Sequence, residues 1–240
     1  MALIGSGGLG SSYGIALGPN SPIRDNLIAW YDFRHELQGD TNGFTNQWGD
    51  ISGDDRHATD YNVEASGRGD MKGFYWELDG TNEYFRETGW PTGLSAYTLE
   101  FWGKADDTSV DYMLDGRATD DTGDWWLLKE QSGYDSNYRN VARVNWSNGY
   151  TQWHQVVAVQ KGSPGGADIY INGIKYHGGF GGGNTWNTAQ MTIGTDYNGG
   201  NYWNGKMGII RVYNTELTAN QIKHNWHCDA SKFARYESGI

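Results

Sequence analysis

The chain has 240 residues, a formal net charge of −11 and 36 glycines but only 4 prolines. This acidity disfavours nucleic acid and anionic membranes as partners, because both are negatively charged themselves. Cys228 is the only cysteine, so no intrachain disulfide can form. No apolar run approaches the about 18 residues of a membrane span, and the N-terminus lacks the layout of a secretion signal. We expect one soluble domain preceded by an arm.

The composition of the first 24 residues predicts an extended arm, and residues 25–240 are predicted to form the domain. The arm combines Gly and Ser with isolated aliphatic residues and has neither helical nor strand periodicity. Disordered tails are usually poor in aliphatic side chains, so we expect these side chains to dock on neighbouring subunits. The alternative is a flexible or self-packed terminus. The residues assigned to this contact are Leu3, Ile4, Leu9, Ile15 and Leu17.

From residue 25 onward, short β-branched and aromatic runs alternate with Gly, Asn and Asp, a pattern typical of about ten antiparallel strands in two sheets. The pair Asn172-Gly173 predicts a type I′ hairpin turn, since both residues accept positive φ. Near the C-terminus, Thr218 and Gln221 predict a capping box at the start of a helix, which we expect to seal one edge of the sandwich. The strand predictions cover 27–33, 74–78, 97–104, 125–129, 140–146, 153–160, 167–176, 191–194 and 206–213.

Seven motifs in order resemble those of laminin-G-like domains in the concanavalin A-like lectin and glucanase superfamily: 27–32, 48–53, 78–84, 97–102, 153–154, 170–173 and 205–214. The resemblance implies an all-β fold, an antiparallel two-sheet jelly-roll sandwich of concanavalin A-like type with one short C-terminal helix. The motif at 48–53 and the ending at 216–226 are similar to domains that recur in tailed-bacteriophage virion proteins.

That resemblance implies a non-enzymatic structural or adhesion component of a larger assembly. The role expected is that of a bacteriophage virion protein, either a capsid decoration or a tail or fibre appendage. Its partners would be other virion subunits or copies of itself, and its location the virion surface, with an extracellular location as the alternative.

A carbohydrate-binding lectin is the alternative function. Lectins stack aromatic rings on sugars and fix hydroxyls with amide and carboxylate groups. The residues assigned to such a site are Trp186, Tyr197, Asn198, Tyr202 and Trp203. The same rings would equally serve to fill the core or a subunit interface. The expected glycan partner is one on a cell surface.

Carboxylates raise two further hypotheses. Asp120, Asp121 and Asp124 form the densest acidic loop and supply the oxygen ligands that calcium prefers, although the spacing of a full calcium loop is missing. No other cofactor is expected. Glu77 and Asp79 are the pair nearest to the alternating carboxylates of a glycoside hydrolase, the second alternative function, but Asp79 also fits a tight turn.

Two other polar groups suggest weaker interpretations. The acidic stretch containing Asp106, Asp107, Asp111 and Asp115 is predicted to form solvated turns. His224, His227 and Cys228 offer zinc ligands on one helical turn, but a fourth ligand is not evident and histidines also suit the end of a helix.

Overall fold

The computed structural model describes residues 21–33, 47–63, 75–107, 109, 111–117, 126–130, 141–145, 152–162, 166–180 and 185–237. The arm residues Leu3, Ile4, Leu9, Ile15 and Leu17 and the acidic residues Asp120, Asp121 and Asp124 lie outside this part of the chain. Within it there are fourteen strands and one helix, in this order: β1 Leu27–Asp32, β2 Gln47–Trp48, β3 Ala58–Tyr61, β4 Trp76–Asp79, β5 Tyr84–Glu87, β6 Tyr97–Ala105, β7 Asp111–Asp115, β8 Trp126–Glu130, β9 Val141–Asn145, β10 His154–Gln160, β11 Ala167–Ile171, β12 Ile174–Phe180, β13 Met191–Ile193, β14 Asn204–Tyr213 and α1 Ala219–Glu237.

The strands form two seven-stranded sheets. Sheet 1 has the order β1-β14-β6-β10-β11-β12, and β4 pairs with β14 beyond the end of β1; sheet 2 has the order β2-β3-β5-β13-β7-β8-β9. The pairings are antiparallel except between β8 and β9, which run parallel. The predicted all-β, two-sheet jelly-roll sandwich with a C-terminal helix is confirmed.

Aromatic rings fill the space between the sheets. Trp48 of sheet 2 lies 6.2 Å from Trp76 of sheet 1 between ring centroids, and Phe85 lies within 5.3 Å of both rings. Phe101 meets Trp203 edge-on at 5.2 Å. All five side chains are almost wholly buried. Because such pairs add to the free energy gained from burial alone, they hold the two sheets together in place of a disulfide.

Helix α1 lies on the outer face of sheet 1, which corrects the expectation that it seals an edge. Phe233 stacks on Trp102 of β6 at 4.5 Å between centroids, and Ile222 packs with Val157 and Tyr213. The predicted cap is confirmed: the Thr218 amide donates to Gln221 Oε1 (2.8 Å), and the Gln221 amide donates to Thr218 Oγ1 (3.3 Å). Sheet 1 is therefore covered on both faces, by sheet 2 and by the helix.

A buried polar network joins the helix to sheet 1. Arg211 of β14 donates from Nη1 to Glu100 (2.9 Å) and from Nη2 to Asp229 of α1 (2.6 Å). Glu100 also accepts from Gln155 (2.8 Å) and from Asn225 of the helix (2.9 Å). The two carboxylates neighbouring Arg211 raise its pKa although burial opposes its charge. Since buried charges need partners, this network fixes where the helix sits.

The predicted hairpin is also confirmed, since Asn172 and Gly173 join β11 to β12 with φ of 50° and 75°. At the other end of the chain, Ile23 donates its amide to Asn225 (2.9 Å) and accepts from the Tyr213 hydroxyl (3.1 Å). The last residues assigned to the arm thus contact the helix side of the domain. No helix among the described residues combines the length and apolar character that a membrane crossing requires.

Candidate functional site: tyrosines on the outer face of sheet 2

The outer face of sheet 2 carries a row of tyrosines. On β5, the alternation of the strand turns Phe85 into the core and leaves Tyr84 on the opposite face. Tyr84 pairs across the ladder with Tyr61 of β3, and the two rings stack at 4.6 Å with an angle of 3° between their planes. Tyr61 is 36 % exposed. Tyr84 thus covers one face of the Tyr61 ring, and part of the remaining side chain is open to solvent.

Arg86 stands two residues after Tyr84 on the same face of β5. Its guanidinium carbon lies 5.3 Å from the centroid of the Tyr84 ring and 5.5 Å from that of Tyr61. Its Nε is buried, and none of the described residues accepts a hydrogen bond from it. Partial burial raises the pKa of the Tyr84 hydroxyl, while the charge of Arg86 acts in the opposite direction. The tyrosine is therefore a neutral donor at physiological pH.

Tyr202 extends the row from the loop between β13 and β14. Its ring lies 6.2 Å from that of Tyr84. Asp196 holds this loop in shape, because its Oδ1 accepts from the amides of Asn198 (3.2 Å) and Gly200 (2.7 Å). We call Tyr61, Tyr84, Arg86 and Tyr202 the tyrosine surface.

Arg117 holds a second aromatic group beside this loop. Arg117 donates hydrogen bonds to the buried carboxylate of Asp115 from Nε (3.0 Å to Oδ1) and from Nη2 (2.6 Å to Oδ2). Its guanidinium carbon lies 5.0 Å from the Tyr112 ring and 4.9 Å from the Tyr197 ring. Burial opposes the charge of Arg117, but the hydrogen bonds and charge of Asp115 raise its pKa. The amide of Tyr197 also donates to Asp115 (3.1 Å), so this ion pair fixes the loop.

The structure separates the five residues predicted to bind a glycan. Trp186 and Trp203 are fully buried in the core, where Trp186 contacts Trp90 and Tyr97 and Trp203 contacts Phe101. Neither indole can meet a sugar, so their assignment to the site was wrong. Tyr197 and Tyr202 are half-buried and Asn198 is exposed, all on the loop next to the tyrosine surface. For these three residues, glycan binding stays a prediction.

Two other acidic predictions have different outcomes. Asp111 and Asp115 were expected in solvated turns but are buried, Asp115 because Arg117 neutralises it. Asp79 does form the predicted turn: its Oδ1 accepts from the Thr81 amide (2.7 Å), and Gly80 has a φ of 74°. Glu77 is bound by Lys206 (2.8 Å).

The candidate zinc ligands have other contacts. His224 Nε2 lies 2.7 Å from the Ser21 carbonyl oxygen, and the Cys228 sulfur lies 3.5 Å from the same nitrogen. Within the described ranges, no group of three histidine, cysteine or carboxylate side chains could hold a metal ion.

A family model described as the concanavalin A-like lectin/glucanases superfamily matches residues 75–223, more than half of the chain. No curated protein matches the chain. Solved structures share the fold at low identity. Domain 4 of an extracellular arabinanase from Geobacillus stearothermophilus, solved in complex with arabinotriose, has a TM-score of 0.52 and 18% identity, with 82% of this chain and 97% of that domain covered.

Two larger proteins contain a similar sandwich. Trypanosoma rangeli sialidase in complex with sialic acid gives a TM-score of 0.56 and 14% identity over 87% of this chain and 34% of the sialidase. The binding domain of botulinum neurotoxin serotype D gives 0.54 and 14% over 85% of this chain and 51% of that domain. The chain thus spans about a third of the sialidase and half of the toxin domain. On the strength of the family match, this chain belongs to the concanavalin A-like lectin/glucanases superfamily.

Proposed function

We propose that the chain is a non-catalytic carbohydrate-binding module and that the tyrosine surface is its binding site. The observation that carries this proposal is the row of Tyr61, Tyr84 and Tyr202 on the outer face of sheet 2, whereas the helix packs on the outer face of sheet 1. Aromatic rings that remain partly exposed offer apolar surface for the C–H groups of a sugar, and their hydroxyls offer hydrogen bonds.

The site is also largely preorganised. Tyrosine has few rotatable bonds, and the Tyr61–Tyr84 stack and the Asp196-braced loop restrict these further. Binding therefore costs little side-chain entropy, which favours affinity for a ligand with a small contact area. Asn198 adds an exposed amide on the same loop for hydroxyl recognition.

The non-enzymatic part of the proposal is supported by the roles of the carboxylates. Glu77 forms an ion pair with Lys206, and Asp79 closes a turn. Glu100 lies in the buried network beneath α1. Each of these carboxylates thus has a structural role, whereas a glycoside hydrolase requires two that face the same sugar.

The names of the similar structures agree with a sugar ligand, since one was solved with arabinotriose and another with sialic acid. Because the sequence identity is below 25%, this likeness concerns the fold alone. The ligand class of this chain is therefore inferred from its own surface. A glycan microarray, followed by calorimetry with and without calcium, tests the proposal. We expect Tyr84→Ala and Tyr202→Ala to abolish binding. Failure of the native chain to bind any glycan would refute it.

Tyr176→Ala is the matched control. Tyr176 is 41% exposed, similar to Tyr61, but lies on β12 in sheet 1. Its replacement should leave glycan binding unchanged, and thermal melting of all variants would show whether they remain folded. Equal loss of binding in Tyr84→Ala and Tyr176→Ala would place the site elsewhere.

We propose that this binding serves adhesion within a larger assembly, as the sequence resemblance to virion proteins predicts. The predicted arm is tested by deletion, and Ile23 decides where the deletion ends, because it bonds to Asn225 and Tyr213. Removing residues 1–20 preserves these bonds, whereas removing 1–24 breaks them. Loss of incorporation into particles, with an unchanged melting temperature, would support the arm; normal incorporation would refute it.

A further inference from the structure

We infer that the tyrosine surface selects sugars that carry a carboxylate, with Arg86 as the partner of that carboxylate. This inference rests on the proposed carbohydrate-binding function and adds the chemical class of the ligand.

Within the part of the chain that the structure describes, Arg86 is a cation without a carboxylate partner, although the protein is strongly acidic. Elsewhere in the domain, Arg117 pairs with Asp115 and Arg211 pairs with Glu100 and Asp229. Lys206 likewise pairs with Glu77. Among the described residues, by contrast, no acidic side chain lies within ion-pair distance of Arg86, whose neighbours are two tyrosine rings.

The Nε of Arg86 reinforces this point. It is buried and has no acceptor among the residues that the structure describes. Because this nitrogen is enclosed, an incoming carboxylate would bind to the terminal Nη groups of the guanidinium instead. A carboxylate is the ligand group that suits this position, because the guanidinium presents parallel N–H donors that match two carboxylate oxygens.

The position of Arg86 relative to the rings connects this charge to sugar binding. Its guanidinium lies beside both Tyr61 and Tyr84, on the same face of the sheet. A sugar stacked against the tyrosine row would thus place a ring substituent next to Arg86. The rings would bind the apolar face of the sugar, and Arg86 would select its charged substituent.

The overall charge of the protein does not favour acidic ligands, so a preference for them must arise from a local contact. With a net charge of −11, the chain repels polyanions at long range. Nonspecific attraction therefore cannot produce a preference for acidic glycans. Such a preference would have to come from a specific contact, and Arg86 is placed to supply it.

The experiment compares oligogalacturonate with its methyl ester, which keeps the sugar and removes the charge. The full chain should bind the acid form about tenfold or more tightly than the ester, the gain expected from a charged hydrogen-bonded pair. Arg86→Gln should lose this preference, so that it binds the acid and the ester with equal affinity. Arg86→Lys should keep only part of the preference, because an ammonium cannot form the paired hydrogen bonds.

Arg24→Gln is the control, since Arg24 also lies over an aromatic ring, that of Trp30, but outside the tyrosine surface. It should leave the preference intact. Equal affinity for acid and ester, an unchanged preference in Arg86→Gln, or equally tight binding of a sulfated oligosaccharide would each overturn the carboxylate assignment while leaving carbohydrate binding in place. If neither these glycans nor any on the microarray bind, both proposals fail.

Discussion

The replacement Arg211→Met tests whether the buried network holds α1 on sheet 1. Arg211 is fully buried, and the change removes its bonds to Glu100 and Asp229, which are 1% and 0% exposed. Glu100 keeps three donors, from Trp102, Gln155 and Asn225, but Asp229 keeps only its outer partner Lys232 among the contacts that the structure gives. Uncompensated buried charge costs about 3–5 kcal/mol, a large part of the about 5–15 kcal/mol that stabilises a typical domain.

Urea denaturation followed by tryptophan fluorescence measures this loss. Lys232→Met is the matched control, because it removes the other cation that contacts Asp229, at a position where the lysine side chain is 32% exposed. We expect the control to lower the free energy of unfolding by no more than about 1 kcal/mol. Equal unfolding midpoints for Arg211→Met and Lys232→Met would refute the assignment of the network as the anchor of the helix.

Three further changes probe other features by the same denaturation assay. Burial raises the pKa of Glu87, so its carboxyl contributes most to stability below its ordinary pKa and loses that contribution as pH rises through the raised value. The variant Glu87→Gln should therefore stabilise the protein at neutral pH and have no effect in acid. An equal gain in stability at all pH values would contradict this explanation. Thr218→Ala should cost about 1 kcal/mol by removing the helix cap, and no loss would mean that the cap is dispensable. Gly173→Ala should lower the free energy of unfolding more than Gly93→Ala does. Both glycines have positive φ, but only at position 173 would the new Cβ meet the helix, at 3.2 Å from Trp226 Cβ. Equal losses of stability would show that backbone strain alone accounts for the effect.

The central strands of sheet 1 were predictable because both of their faces are buried. In β6 and β10 nearly every residue is inaccessible, between the core on one side and α1 on the other. Such strands contain long β-branched and aromatic runs that stand out from the surrounding loops. The hairpin at Asn172 and the cap at Thr218 were predictable for a different reason, because their signals are local in sequence.

Several strands of sheet 2 were missed because only one face is apolar. Strands β3, β5 and β7 have four or five residues each, and their outward positions carry Tyr, Arg and Asp. A strand of four residues has only two side chains that point inward, so the alternation of apolar and polar residues is too short to be recognised in the sequence. In β7 the buried carboxylate of Asp115 is neutralised by Arg117, two residues later, a contact that composition does not reveal.

The candidate site was partly predictable. The loop with Tyr197, Asn198 and Tyr202 was identified from its composition, but aromatic content could not distinguish the buried Trp186 and Trp203 from surface rings. Tyr84 and Arg86 could have been placed outward once Phe85 was assigned to the core. Their neighbour Tyr61 could not, because its position beside Tyr84 depends on the pairing of β3 with β5 across more than twenty residues.

The covering of one sheet by α1 gives the molecule a back and a front. The segment that precedes the domain joins at the back, where Ile23 bonds to Asn225 of the helix. The tyrosine surface lies at the front, on the far side of the sandwich. A copy tethered through its leading segment would consequently point the tyrosine surface away from the point of attachment, toward whatever approaches from outside.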